Sequence, residues 1–294
     1  MGVNERDFYT GQITTGHEWN GIKELNTAIP KPVWFFLIAT SLFAVVYWVL
    51  MPAWPLGRTY TKGLLGTDVH KEVATSLREA ALSRAQWMTR IEKKDFAAIQ
   101  ADAALMKYVR ETGHTLFGDS CAVCHGTRAT GGPGFPSLVD EAWLWGGTPD
   151  AVFETIRVGI NSDAPETRAA QMPAFGRDGI LDRQAIINVI AFVRSLSHPT
   201  TTVSADAQKV AAGQETFAAN CSACHGDDAK GNKDTGAPDL TDGFWLYGSD
   251  ADSIYRTIYG GRQGRMPSWE KRLTDAERKI LTLYILDLKK RGTP

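Results

Sequence analysis

Cys121-Ala-Val-Cys124-His125 and Cys221-Ser-Ala-Cys224-His225 decide how this chain folds. Each is a C-x-x-C-H motif, and together they use all 4 cysteines. Two thiols at this spacing lie on one helical turn, where both can bond to the vinyl groups of a single porphyrin. The histidine that follows then sits under the iron as its proximal ligand. Covalent attachment lets a small domain hold its haem without a large apolar cage. A redox dithiol or half of a zinc site uses the same cysteine spacing. Neither explains a histidine after both pairs, and no strand-rich βαβ context surrounds them. Disulfides within each pair would be strained. The expectation is two covalent haem c groups, on Cys121 and Cys124 and on Cys221 and Cys224, with His125 and His225 as iron ligands.

The surroundings of the motifs repeat. Gly113, Phe117, Cys121, Cys124, His125 and Gly126 recur 100 residues later as Gly213, Phe217, Cys221, Cys224, His225 and Gly226. Further on the offset is 102: Pro136 and Leu138 match Pro238 and Leu240, and Trp145-Gly146 matches Tyr247-Gly248. Phe153, Thr155 and Ile156 match Tyr255, Thr257 and Ile258. The first unit then carries an insertion over 161–170. Each unit ends in a helical pattern, over 182–197 and 275–290, and the second opens with the capping box Thr274-Asp-Ala-Glu277. The break falls in His198-Pro199-Thr-Thr-Thr-Val-Ser204, a linker by composition.

A haem iron with one histidine still has an open face, and methionine there makes an electron-transfer site of raised potential. Of 6 methionines, Met1 is terminal, Met51 ends an apolar run, and Met88 and Met106 precede the first motif. Met172, in Gln-Met-Pro-Ala-Phe, and Met266, in Arg-Met-Pro-Ser-Trp, remain, one per repeat between motif and last helix. Order along the chain pairs His125 with Met172 and His225 with Met266. Packing filler is the alternative for each methionine. Trp143, Trp145, Trp245 and Tyr247 line haem edges or belong to the core, and Arg157 and Arg262 reach propionates or solvent.

Residues 33–51 read VWFFLIATSLFAVVYWVLM, without a charge. Such a run spans a bilayer as a helix, with Trp34 at one end and Tyr47, Trp48 and Trp54 at the other as interfacial aromatics. A buried core helix rarely stays apolar on every side. A cleaved signal peptide would be shorter and followed by small residues, not by Pro52-Ala53-Trp54-Pro55. Lys23 and Lys31 before the run, against Arg58, Lys62 and Lys71 after it, slightly oppose a cytoplasmic N-terminus. The haem motifs outweigh that count, because bacterial c-type haems are attached outside the cytoplasmic membrane. A net charge of −1 gives no pull toward nucleic acid.

The expected organisation is a cytoplasmic arm over 1–32, a transmembrane helix over 33–51 and a helical connector over 52–106. Haem domains over 107–198 and 205–294 follow. The order helix, haem motif, glycine-rich loop, helix, methionine loop, helix resembles the class I cytochrome c fold, twice. The expected fold class is all-α: one transmembrane helix, then two tandem class I cytochrome c domains. That resemblance implies first and last helices crossing at Gly113, Phe117 and Phe192, and again at Gly213, Phe217 and Tyr284. It also implies proximal histidines bonded to the carbonyls of Pro136 and Pro238.

The arm reads His17-Glu18-Trp19-Asn20-Gly21-Ile22-Lys23-Glu24-Leu25-Asn26. Arm, anchor and two haem domains together resemble the CcoP (FixP) family of cbb3-type cytochrome c oxidase subunits, over essentially the full length. Asn20 departs from the aspartate expected in that arm. The resemblance implies a non-catalytic electron carrier in the bacterial inner membrane, with haem domains in the periplasm. Its partners would be the catalytic haem-copper subunit, a monohaem cytochrome c subunit, and a soluble or membrane cytochrome c donor. No histidine cluster here could bind copper, so the oxygen chemistry would lie in the catalytic subunit. Three other readings are a dihaem subunit of a membrane dehydrogenase, a free membrane-anchored carrier, and a dihaem peroxidase. The peroxidase would need an iron without methionine, with His114 or His198 as the spare ligand.

Overall fold

The computed structural model describes residues 5–197 and 207–291. They fall into two compact units divided between Leu82 and Ser83. The linker proposed at 198–204, including His198, lies outside the described residues.

The first unit opens with a β-hairpin where the sequence reading expected only a polar arm. Strands β1 (Thr14–Trp19) and β2 (Ile22–Leu25) pair antiparallel, Trp19 opposite Ile22. Asn20 and Gly21 make the turn with φ of 52° and 83°. Two consecutive positive φ values define the tight turn that Asn-Gly favours. Helix α1 (Lys31–Leu50) follows, started by Pro32 in its first turn, with no residue buried. It is long and apolar enough to cross a membrane. After it the backbone turns back on the helix end: Leu64 N–H donates to Val49 O and Leu65 N–H to Leu50 O, both at 3.0 Å.

Helix α2 (Val69–Lys93) runs into the second unit, which is otherwise helical. In order come α3 (Phe96–Ala101), α4 (Ala103–Ser120), α5 (Ala122–His125), α6 (Pro149–Val158) and α7 (Arg183–Ser197). Then come α8 (Ala207–Asn220), α9 (Ser222–His225), α10 (Ala251–Gly260) and α11 (Asp275–Arg291). Side-chain caps start several of them, among them Asp95 on α3, Asp102 on α4, Thr148 on α6, Asp182 on α7 and Asp250 on α10. The expected capping box on α11 is formed, with Thr274 N–H donating to Glu277 Oε2 at 2.8 Å. The end of α2 is capped from α11, where Lys279 Nζ donates to the carbonyls of Glu92 (2.9 Å) and Lys94 (2.7 Å). This positive group meets the negative end of the helix dipole. The connector therefore packs on the first core at its C-terminal end, through Trp87, Met88 and Ile91.

Two cores are built, one per haem motif, but they trade segments. The first joins Phe117 of α4 and Ile156 of α6 to Ile280, Leu281 and Tyr284 of α11. The second joins Ile186 and Val189 of α7 to Phe217 of α8 and Ile254 and Ile258 of α10. Each first helix thus crosses the last helix of the other repeat. The aromatic pairs say the same: Phe117 lies 5.9 Å from Tyr284, and Phe192 lies 5.3 Å from Phe217. Glycine is required at both crossings. A Cβ on Gly113 would lie 2.6 Å from Tyr284 Cβ, and one on Gly213 only 2.0 Å from the Asn188 carbonyl oxygen.

A charge pair distinguishes the two crossings. Arg110 of α4 donates twice to Asp287 of α11, at 2.9 and 3.1 Å. Their counterparts in the repeat are Val210 and Ser195. Were α11 to pack on α8 instead, the nearly buried Asp287 would face an apolar Val210 and lose its guanidinium. Taking a guanidinium partner from a buried carboxylate is unfavourable, so this pair favours the exchanged crossing.

Candidate haem sites

Each site begins at a short helix, α5 or α9, carrying the motif. The backbone around the two is nearly the same. Gly131 N–H donates to His125 O at 2.8 Å, and Gly231 N–H to His225 O at 2.8 Å. Ala129 and Ala229 are both buried and both held at positive φ, 58° and 59°. Leu138 and Leu240 N–H donate back to those alanines' carbonyls, each at 2.8 Å. The loop so fixed delivers a proline carbonyl to each histidine ring. His125 Nδ1 lies 2.9 Å from Pro136 O and His225 Nδ1 lies 3.0 Å from Pro238 O.

That contact sets the tautomer. A carbonyl only accepts, so Nδ1 must carry the proton and Nε2 is left with its lone pair for a metal. Burial pushes the pKa of both histidines down, against a smaller opposite effect of the proline carbonyls. Both rings are therefore neutral at pH 7, as ligation requires. Burial raises the Cys121 and Cys221 thiols to about 11. A redox dithiol would need a lowered thiol instead. No disulfide joins the four cysteines.

The methionines follow the exchange. Met266 packs on the first core with Cys121, Leu138 and Trp143, and Met172 packs on the second with Cys221, Leu240 and Trp245. This differs from the pairing expected from chain order, His125 with Met172 and His225 with Met266. The reason lies in backbone hydrogen bonding. Ile160 and Met266 exchange both N–H···O bonds, each at 2.9 Å, and Met172 and Arg262 do so at 2.8 and 3.1 Å. Each methionine loop is thus stitched to the segment that follows α6 or α10 of the other repeat. Gly159 and Gly261, at φ of 71° and 68°, allow the approach. A Cβ there would lie 2.4 Å from Met266 O and 2.5 Å from Met172 O. Met88 and Met106 also join the first core. Only the loop methionines occupy matching places in both cores.

The aromatic residues divide by role. Trp143 and Trp245 belong to their own cores, and the indole N–H of each is buried without a protein partner. Two orphaned donors at matching repeat positions are what an acidic group bound inside each core would satisfy. With a neutral imidazole, a thioether and one thiol at each core, and a second, exposed thiol on the same short helix, these donors make the residues present fit a haem c. Trp145 and Tyr247 instead reach across to the other repeat: Trp145 closes on Gly236, and Tyr247 on Gly134. Arg168 lies over Trp145 at 4.9 Å and Arg262 over Tyr247 at 4.1 Å. Arg157 and Arg262 were candidates for propionates. Arg157 instead bonds Glu154, Glu166 and Glu270, and Arg262 bonds Thr257 Oγ1. His114 is exposed on α4, its ring 6.5 Å from that of Tyr284. No cluster of metal-binding residues beyond these sites occurs among the described residues.

Three family models match the chain in order. The N-terminal domain of cytochrome oxidase-cbb3, FixP, matches 11–58, cytochrome c matches 110–197, and cytochrome c oxidase, cbb3-type, subunit III matches 208–285. The "Cbb3-type cytochrome c oxidase subunit FixP" of Bradyrhizobium sp. (strain ORS 278) is 45% identical over 285 residues, covering 97% of both chains. The FixP subunit of Bradyrhizobium diazoefficiens is 44% identical, again with 97% of each covered. The CcoP subunit of Azospirillum sp. (strain B510) is 43% identical, with 98% of this chain and 99% of that one covered.

Proposed function

This chain belongs to the FixP/CcoP family of cbb3-type cytochrome c oxidase subunits, and from that premise we propose that it passes single electrons through the oxidase complex. It carries two covalently bound haem c groups, which supply the one-electron redox chemistry. Cys121 and Cys124 hold the first and Cys221 and Cys224 the second. His125 and Met266 would hold one iron, and His225 and Met172 the other.

One observation carries this reading: each core pairs a neutral histidine, oriented by a proline carbonyl, with a loop methionine. With a histidine and a methionine available to each iron, neither would need an outside ligand, which disfavours the peroxidase. Thioether ligation favours reduced iron and raises the potential, as suits a carrier that feeds an oxidant. The indole N–H groups of Trp143 and Trp245 would hold an acidic group bound at each core, and the proline carbonyls keep each imidazole in its ligating tautomer.

The direction proposed is from a cytochrome c donor, through this chain, to the catalytic haem-copper subunit, with the monohaem subunit in the same complex. Helix α1 fits a membrane anchor. The hairpin is placed on the cytoplasmic side and the haem domains in the periplasm of the inner membrane. The test is the visible spectrum and metal content of the complex drawn from membranes in mild detergent through this chain. Haem b and copper beside haem c are expected. Haem c with a flavin or quinone dehydrogenase instead would favour the dehydrogenase reading, and haem c on this chain alone a free carrier.

A further inference from the structure

Asn161 stands where the two methionine loops meet. It opens the insertion that only the first repeat carries. Its backbone is left-handed, with φ of 46°, a conformation asparagine tolerates better than most residues but which is rare outside glycine. Strain of this kind persists where the surroundings hold it and marks positions with a role.

The side chain reaches both loops. Asn161 Nδ2 donates to Ala170 O at 2.7 Å and to Gly264 O at 2.7 Å. Asn161 Oδ1 accepts from Ala170 N–H at 3.1 Å. One oxygen facing an N–H and one nitrogen facing two carbonyls leave no ambiguity about which end of the amide is which. Ala170 lies two residues before Met172, and Gly264 two residues before Met266. The backbone bond from Ile160 N–H to Met266 O, at 2.9 Å, is made by the residue just before Asn161. The counterpart of Asn161 in the second repeat is Gln263, for which no such bridge is present among the described residues.

Further contacts from α6 and the insertion reach the Met266 loop. Asp163 pairs with Arg265 at 2.6 Å, and Arg157 pairs with Glu166 and Glu270. Ser268 Oγ donates to Arg157 O at 2.6 Å. The contacts of Arg265, Ser268 and Glu270 fall on the Met266 loop, and the Arg157–Glu166 pair ties the insertion to α6, whereas the amide of Asn161 is shared by both loops.

We propose that Asn161 is a positioning residue for both haems, its one carboxamide tying the Met172 and Met266 loops together so that the two thioether ligands are set jointly. The inference rests on the proposed ligand pairs. A haem-specific disturbance is expected from Arg157, and a disturbance of both haems from Asn161.

Asn161→Gly tests this cleanly, because glycine keeps the left-handed backbone and removes only the amide. Asn161→Asp is the second variant. It keeps the shape and the acceptor for Ala170 N–H, but loses both donated bonds and puts a carboxylate against two carbonyl oxygens. In the holo-complex, both haems should lose intensity in the far-red band that thioether ligation gives to ferric haem c. Both waves of a potentiometric titration should fall, and imidazole should displace methionine from both irons at lower concentration. Haem content and subunit assembly should match the unsubstituted complex. Arg157→Gln should move one wave only. A change at a single haem in both Asn161 variants, or at neither, overturns the proposal. Met172→Leu and Met266→Leu serve as the reference. If either leaves both waves in place, the ligand reading fails. If each moves one wave while the Asn161 variants move none, the shared bridge alone fails.

Discussion

Replacing Tyr284 by Ala separates the exchanged architecture from a simple tandem one. Tyr284 comes from the last helix of the second repeat, yet it lies against Gly113 and Phe117 of the first. It is 5% exposed. Truncating a buried aromatic to alanine costs about 3–5 kcal/mol through lost burial and the cavity left behind. Each 1.4 kcal/mol is tenfold in an equilibrium, so local opening of the first core should become roughly 100- to 4,000-fold more frequent. Amide hydrogen exchange of the holo-protein, read by mass spectrometry, reports that opening helix by helix. Peptides from α4 should lose protection by this factor, and peptides from α8 should keep theirs. A tandem arrangement predicts the reverse, because Tyr284 would then pack on Gly213 and Phe217. Loss of protection in α8 with α4 unchanged would refute the exchange.

Acid should loosen α4 from its N-terminus. The Asp102 carboxyl is held below its ordinary 3.8 chiefly by the N–H of Leu105, helped by the charge of Arg90. A lowered folded pKa contributes stability that is present above the unfolded value and lost as pH falls through the folded one. Far-UV circular dichroism should therefore show helix loss in a window below 3.8 that is smaller in Asp102→Asn, which keeps a cap without the charge; superimposable acid curves would contradict this. For orientation, protease added to spheroplasts should remove the haem-bearing part and spare the hairpin. Cleavage confined to the arm would place the haem domains on the wrong side.

Much of this was legible in the chain because the relevant signals are local. The two motifs, the prolines that orient the histidines, the capping box at Thr274 and the charge-free run of α1 each depend on neighbours a few residues away. Asn20-Gly21 was an equally local sign of the hairpin, but strands so short lack the alternation that would announce them. The exchange was hidden for a physical reason. A helical apolar stripe states that a face is buried and not what covers it. Phe192 and Tyr284 are interchangeable partners for Phe117 and Phe217 by size and position. What discriminates is Arg110 opposite Asp287, where the other crossing has Val210 and Ser195, and that pair is meaningful only once both helices are placed. Arg157 looked free to reach a propionate because the three carboxylates that hold it come from three separate stretches.

The central claim is that each iron takes its methionine from the other repeat. It is tested most directly in a chain with Cys121 and Cys124 replaced by Ala, which retains the second haem alone. In that background Met172→Leu should abolish the far-red thioether band and lower the single midpoint potential, while Met266→Leu should leave both unchanged. Loss of the band in Met266→Leu, with Met172→Leu unaltered, would return the ligands to chain order and contradict the account.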